Sequence, residues 1–168
     1  AYTPDGWGLF MEAFVWAGFA EEFGKWLAAL LIFRLARCRH PSLSMIYAGM
    51  VGLGFATFEN LLYMQHQGVD AIFLRAISAL PCHLFLGMIM GSYWAYEKGV
   101  SRYVKSLLLP LVLHGLYNFP LMQADAYFEN LQPMMMLSAL VLMLMASWTR
   151  LLVRHDYRYR WVPAATAL

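Results

Sequence analysis

Apolar residues in this chain run in long, almost unbroken stretches separated by short polar segments. The stretches cover 9–35, 43–64, 71–95, 103–122 and 131–153, and a bilayer crossing needs about 20 predominantly apolar residues. The pattern therefore predicts five transmembrane helices, an all-α polytopic bundle forming one integral membrane domain over 1–168. The linkers are short and polar: Arg37, Arg39 and Pro41, then 65–70, then 97–102, then 125–130. With Ala1 in place of Met at its start, the chain leaves room for further helices upstream. Neither an internal repeat nor a low-complexity tract interrupts the pattern.

Composition agrees: 61% of the 168 residues are apolar and 13% are charged, where soluble domains carry roughly a quarter charged residues. Such a chain has too little polar surface to coat a soluble globule. The net charge is +2 and no Lys/Arg block is present, so nucleic acid is not an expected partner. The basic residues are instead read for topology. Arg34, Arg37 and Arg39 follow the first helix, Lys98, Arg102 and Lys105 lie around the third linker, and Arg150, Arg154, Arg158 and Arg160 close the fifth helix. The alternate side holds Asp5, Asp70, Asp125 and Glu129, with Arg75 as the exception. The expected orientation is N-terminus outside and C-terminus cytoplasmic, with 154–168 as a cytoplasmic tail. Aromatic belts fit it: Tyr2 and Trp7 at one boundary, Tyr93, Trp94, Tyr96, Tyr103, Tyr157, Tyr159 and Trp161 at the other. Cys38 and Cys82 stand apart, which argues against a disulfide framework or a thiolate metal site.

Eight polar residues remain inside the predicted helices: Glu21, Glu22 and Lys25, then Glu59 and Asn60, then His83, then His114 and Asn118. An ionisable group at the bilayer centre costs about 2.5–3.5 kcal/mol or more unless it faces protein or water, so functional use is the first hypothesis. At about 1.5 Å per residue from the basic ends, Glu22 and Glu59 lie roughly 20–24 Å deep and His83, His114 and Asn118 roughly 16–22 Å deep. Four helices thus bring polar groups to one level. Glu21 and Glu22 precede Lys25 by four and three positions, so one ammonium can neutralise both; His114 and Asn118 likewise share a face. Gly49, Gly52 and Gly54 admit a close helix neighbour just before Glu59. Pro81 and Pro110 loosen the backbone ladder shortly before His83 and His114.

At these residues the chain resembles the PrsW family of intramembrane proteases, relatives of the type II CAAX prenyl endopeptidases. The resemblance rests on Glu21-Glu22-Phe-Gly-Lys25, Gly54-Phe-Ala-Thr-Phe-Glu59-Asn60, a lone His83 and His114-Gly-Leu-Tyr-Asn118, in that order. Lys25 stands where the prenyl proteases carry Arg, and Phe55-x-x-x-Glu59 ends in Glu where they have His; both departures point to the PrsW branch. The resemblance implies a catalytic core over about 9–122, with the helix at 131–153 carrying no site residue. It also implies cleavage of a single-span membrane protein, such as an anti-sigma factor, near the outer side of a bacterial plasma membrane. In that reading Glu21 activates water, Glu22 supports it, Lys25 anchors the pair, His114 and Asn118 face the developing oxyanion, and His83 orients water or substrate.

The residues themselves allow two chemistries. A carboxylate with neighbouring imidazoles can activate water and hold a tetrahedral oxyanion. Two histidines and a carboxylate also form a catalytic zinc set, for which His83, His114 and Glu59 are the sequence candidates. Neither His-Glu-x-x-His nor a serine or cysteine catalytic motif is present to choose between them. Other readings compete. His83 alone suits an interhelical hydrogen bond, and Lys25 suits a purely neutralising role. Glu12, His40, His66 and His155 read as solvated, Cys82 as a small apolar filler, and the runs 134–136 and 140–145 as packing. From another class, a proton- or cation-coupled transporter or channel could use the same Glu/His cluster, although transporters commonly show internal repeats. A catalytically silent scaffold is disfavoured by the intact glutamate pair and histidines.

Overall fold

The computed structural model describes residues 5–36, 41–67, 69–127 and 131–160. Arg37, Cys38, Arg39, His40, Tyr2, Glu129 and Trp161 lie outside the described residues, as do the side chains of Pro41, His66, Asp70, Asp125, Tyr157, Arg158, Tyr159 and Arg160. The order is α1 (Gly6–Met11), a π-helical stretch (Glu12–Phe19), α2 (Ala20–Leu35), α3 (Pro41–Gln67), α4 (Val69–Tyr96), α5 (Gly99–Tyr127) and α6 (Leu131–Arg160). The first three run on into one rod, so the described chain forms five helical rods and contains no strand. Asp5 starts the first rod as an N-cap, accepting from Gly8 N at 2.7 Å, which satisfies one of the free amides of the first turn.

The five expected stretches each fall within a rod, and the boundaries move outward. α6 continues to Arg160, so the expected tail at 154 begins as helix. Three helices are long and apolar enough to cross a membrane by composition alone, at Ser42–Gln65, Arg75–Tyr96 and Gln132–Asp156. The first and fourth expected spans are not among them. The first holds Glu12, Glu21, Glu22, Lys25 and Arg34, and the fourth holds Lys105, His114 and Asn118 beside Pro110 and Pro120. Their apolarity is diluted by the polar groups they bring inward. Outward-facing Trp16, Phe58, Phe73, Ile77, Met136 and Leu144 are all exposed, as lipid-facing positions are.

Backbones approach most closely between α3 and α4. A Cβ on Gly52 would run into His83 O, one on Gly87 into Ala48 O, and one on Gly91 into Ser44 O. Only hydrogen at these positions permits such a crossing. Gly49 also faces α4, whereas Gly54, the third glycine of that run, is exposed with open space beside it. Leu86, Ile89, Cys82, Tyr117 and Met145 make a buried cluster joining α4, α5 and α6. Cys82 is therefore the small apolar filler expected. At the basic end, buried Asp156 of α6 accepts from Tyr96 at 3.0 Å and from Ser42, tying α6 to α3 and α4. The α4–α5 turn closes on Gly99 at φ 61°, a left-handed conformation that favours glycine.

Candidate active site

The π stretch sets the site up. Near the end of its wider turns lies Gly18, where a Cβ would press on Ala13 O and lie 3.5 Å from Leu111 O of α5. Gly115 of α5 in turn receives the ring of Phe14. π segments often sit at functional sites because their extra residue rotates the next turns of the helix. Here those turns are the start of α2, which carries Glu21, Glu22 and Lys25.

Glu22 and Lys25 form the floor, with side chains 0% and 1% exposed. Lys25 Nζ donates to Glu22 Oε1 at 2.6 Å and to His83 Nδ1 at 2.6 Å, and it lies 4.4 Å from the centre of the Phe55 ring. A second hydrogen bond joins His114 Nδ1 to Glu22 Oε1 at 3.0 Å. Because Glu22 is an ion-paired acceptor, Nδ1 carries the proton and His114 Nε2 keeps its lone pair. Asn118 Nδ2 donates to that Nε2 at 3.0 Å. By the same reasoning Lys25 fixes His83 with its lone pair on Nδ1, and His83 Nε2 faces Glu59 Oε2 at 3.3 Å. The two imidazoles meet edge to face, with centroids 5.0 Å apart.

Around this floor stands a partly open rim. Glu21 and Glu59 are 19% and 18% exposed. Glu21 Oε2 lies 3.5 Å from Lys25 Nζ and 3.9 Å from His114 Nε2, and no hydrogen-bond donor reaches it. Glu59 Oε2 instead lies 2.7 Å from Arg75 Nη2. Arg75 also donates from Nε to Asn60 Oδ1 at 2.9 Å and stacks over Tyr63 at 3.7 Å.

Every candidate named from sequence, namely Glu21, Glu22, Lys25, Glu59, His83, His114 and Asn118, thus falls in one connected cluster. The carboxylate that completes a possible metal-binding group differs from the sequence candidate: Glu21, His83 and His114 offer ligand atoms within 4.8 Å of one another, while Glu59 is engaged by Arg75. Sequence reasoning gave Arg75 no role. The available signal was its position as the single basic residue on the otherwise acidic side.

Two residues of the cluster come from α3, two more from α4, three from α2 and two from α5, counting Asn60 and Arg75. Together they define a polytopic helical membrane protein with a carboxylate–imidazole centre inside the bundle. Residues 2–147 match the family model described as PrsW family intramembrane metalloprotease, and the chain belongs to that family. It is 36% identical over 135 residues to Protease PrsW of Oceanobacillus iheyensis and 34% identical over 137 residues to Protease PrsW of Bacillus subtilis. Each alignment covers 77% of this chain and 63% of the relative. Protease PrsW of Clostridioides difficile is 31% identical over 128 residues, covering 68% of this chain and 53% of that protein. The chain therefore spans less than two thirds of the length of these relatives. No solved structure matches it.

Proposed function

We propose that this chain is an intramembrane endopeptidase that hydrolyses a peptide bond of a single-span membrane protein, with an anti-sigma factor as a fitting substrate. The observation that carries the proposal is the meeting of Glu21, His83 and His114 over a buried Glu22–Lys25 pair. Glu21 is partly exposed, and its buried Oε2 is a carboxylate oxygen that no donor satisfies. It takes the proton of the attacking water. His114 and Asn118 face the oxyanion of the tetrahedral intermediate from the same side: Asn118 donates the second hydrogen of its Nδ2, and His114 can donate from Nε2 only once that nitrogen has taken up a proton. His83, held by Lys25 and Glu59, orients the water or the substrate carbonyl. Glu22 touches no reacting atom; it fixes the His114 tautomer and, with Lys25, keeps the floor electrically balanced.

The residues also fit a divalent cation. Two histidines and a carboxylate are a catalytic zinc donor set, and with neutral histidines the three carboxylates outnumber Lys25 and Arg75 by one charge. Zinc held by Glu21, His83 and His114 would polarise a bound water and the scissile carbonyl. Loading it requires Lys25 and Asn118 to release the imidazole nitrogens to which they now donate. The basic ends of α2, α4 and α6 belong on the cytoplasmic side of a bacterial plasma membrane by the positive-inside rule, which leaves the site toward the outer half.

The test is cleavage of a co-reconstituted single-span substrate by Glu21→Gln, which keeps shape and removes the base. Activity should fall by at least about 100-fold while the unfolding temperature is unchanged. Wild-type rates in both Glu21→Gln and His114→Ala would refute the assignment.

A further inference from the structure

At the basic end of the bundle, away from Glu21, Glu22 and Glu59, a pocket of about 260 Å³ opens among Arg34, Ser44, Trp94, Arg102 and Tyr103. Arg34 lies in the last turn of α2, Trp94 near the end of α4, and Arg102 and Tyr103 in the first turn of α5. Two guanidinium groups thus share one opening, and among the described residues neither is ion-paired to a carboxylate. The nearby carboxylate, Glu97, is taken up by Lys105 at 2.6 Å, and Arg102 reaches only its backbone carbonyl, at 3.0 Å. Like charges converging without a counter-ion repel one another unless an anion joins them.

The aromatic wall adds a second observation. Trp94 packs on Phe33 at 5.3 Å and Tyr103 at 5.0 Å, with Arg102 5.8 Å from its ring centre. Its indole Nε1 is buried and has no acceptor. The neighbouring Trp26 shows how the fold normally treats such a group: its Nε1 donates to Ser106 Oγ at 2.9 Å. A buried donor left unsatisfied is uncommon in native structures. A phosphate group would answer the open charges, since guanidinium binds phosphate in a forked geometry, and a turn of the Trp94 ring toward the pocket it lines would give the unmet N–H an acceptor.

We propose that this pocket binds the phosphate headgroup of an anionic glycerophospholipid in the leaflet at the basic end. Its position favours a lipid source, because Trp94 and Tyr103 stand where interfacial aromatics meet headgroups and basic pockets between helices at that level bind anionic lipids. The acyl chains would then lie along exposed apolar residues such as Leu31, Leu35 and Val104, each next in sequence to a lining residue on α2 or α5.

The test uses the full chain in phosphatidylcholine nanodiscs containing a minor fraction of phosphatidylglycerol, with lipids retained after detergent extraction counted by native mass spectrometry. Wild type should retain phosphatidylglycerol in preference to phosphatidylcholine, and the Arg34→Gln/Arg102→Gln double variant should lose that preference by about tenfold. Arg150→Gln/Arg154→Gln removes the same charge from the same end outside the pocket and should keep it. If the double variant does not fold, Arg34→Gln alone, at an exposed position, should still weaken the preference. Equal retention of both lipids by wild type, or equal loss in both double variants, would overturn the proposal. So would protection of the pocket by millimolar inorganic phosphate without lipid selectivity, which would assign it to a soluble anion.

Discussion

His114 Nδ1 and Glu22 Oε1 stand 3.0 Å apart in a region closed to solvent. A carboxylate behind an imidazole fixes which nitrogen is available in front. Glu22→Ala should therefore lower kcat by about 10–100-fold with little change in KM, because the ring turns and substrate binding is untouched. Steady-state kinetics on a membrane-embedded substrate would separate the two. A change confined to KM would show that Glu22 has a different role.

Lys25 is the one cation in the floor and touches both Glu22 and His83. Lys25→Met should destabilise the protein by about 3–5 kcal/mol, since it strands a buried carboxylate. Lys25→Met combined with Glu22→Gln should recover a good part of that loss. Thermal unfolding in detergent reads both, and an undiminished unfolding temperature in the single variant would contradict the ion-pair picture.

Metal binding is checked by content as well as by rate. If Glu21, His83 and His114 hold zinc, the purified protein should carry about one zinc per chain, and His83→Ala or Glu21→Gln should reduce it sharply. Glu59→Gln should change it little, because Arg75 already occupies its Oε2 at 2.7 Å. Chelation should abolish cleavage and zinc should restore it. Cleavage by protein shown to be metal-free would leave glutamate catalysis alone.

The α3–α4 crossing is testable by bulk. Gly87→Val places two methyl groups against the Ala48 carbonyl, and overpacking costs about 1–3 kcal/mol. It should also impair cleavage, because it pushes apart the helices carrying Glu59 and His83. Gly54→Val, at an exposed glycine with open space, is the matched control.

For orientation, a cysteine introduced at Asp125 in a background lacking Cys38 and Cys82 should react with an impermeant maleimide from outside intact cells. One at Arg102 should not. Reversed labelling would invert the proposed topology and place the site in the inner half.

The helices were legible because runs of apolar residues report length directly. The polar cluster was legible because buried charge is rare enough in such runs that each instance stands out. Partners were harder to read. Glu21 and Glu59 each lie on a helix beside the histidines, and which one completes the metal group depends on how α2 is rotated. The π stretch just before α2 bears on that rotation, since an extra residue turns the helix that follows, and Gly18 and the Phe14–Gly115 contact pack it against α5. Arg75 was overlooked for a related reason: an arginine near the start of a span reads as an interfacial anchor, and only the turn of α4 toward α3 shows it gripping Glu59 and Asn60.

The glycine contacts between α3 and α4 set backbone against backbone at Gly52, Gly87 and Gly91, leaving few side chains there to slide or repack. These two helices are therefore best regarded as a single plate, on which Glu59, Arg75 and His83 keep fixed mutual positions. If the proposed function holds, an incoming transmembrane segment would gain access by parting some other seam, and the lining of that seam would move relative to the plate. Glu21 on α2 and His114 on α5 are the groups that would shift as the door opens. Catalytic alignment would then be completed only after the substrate has entered and the seam has closed behind it.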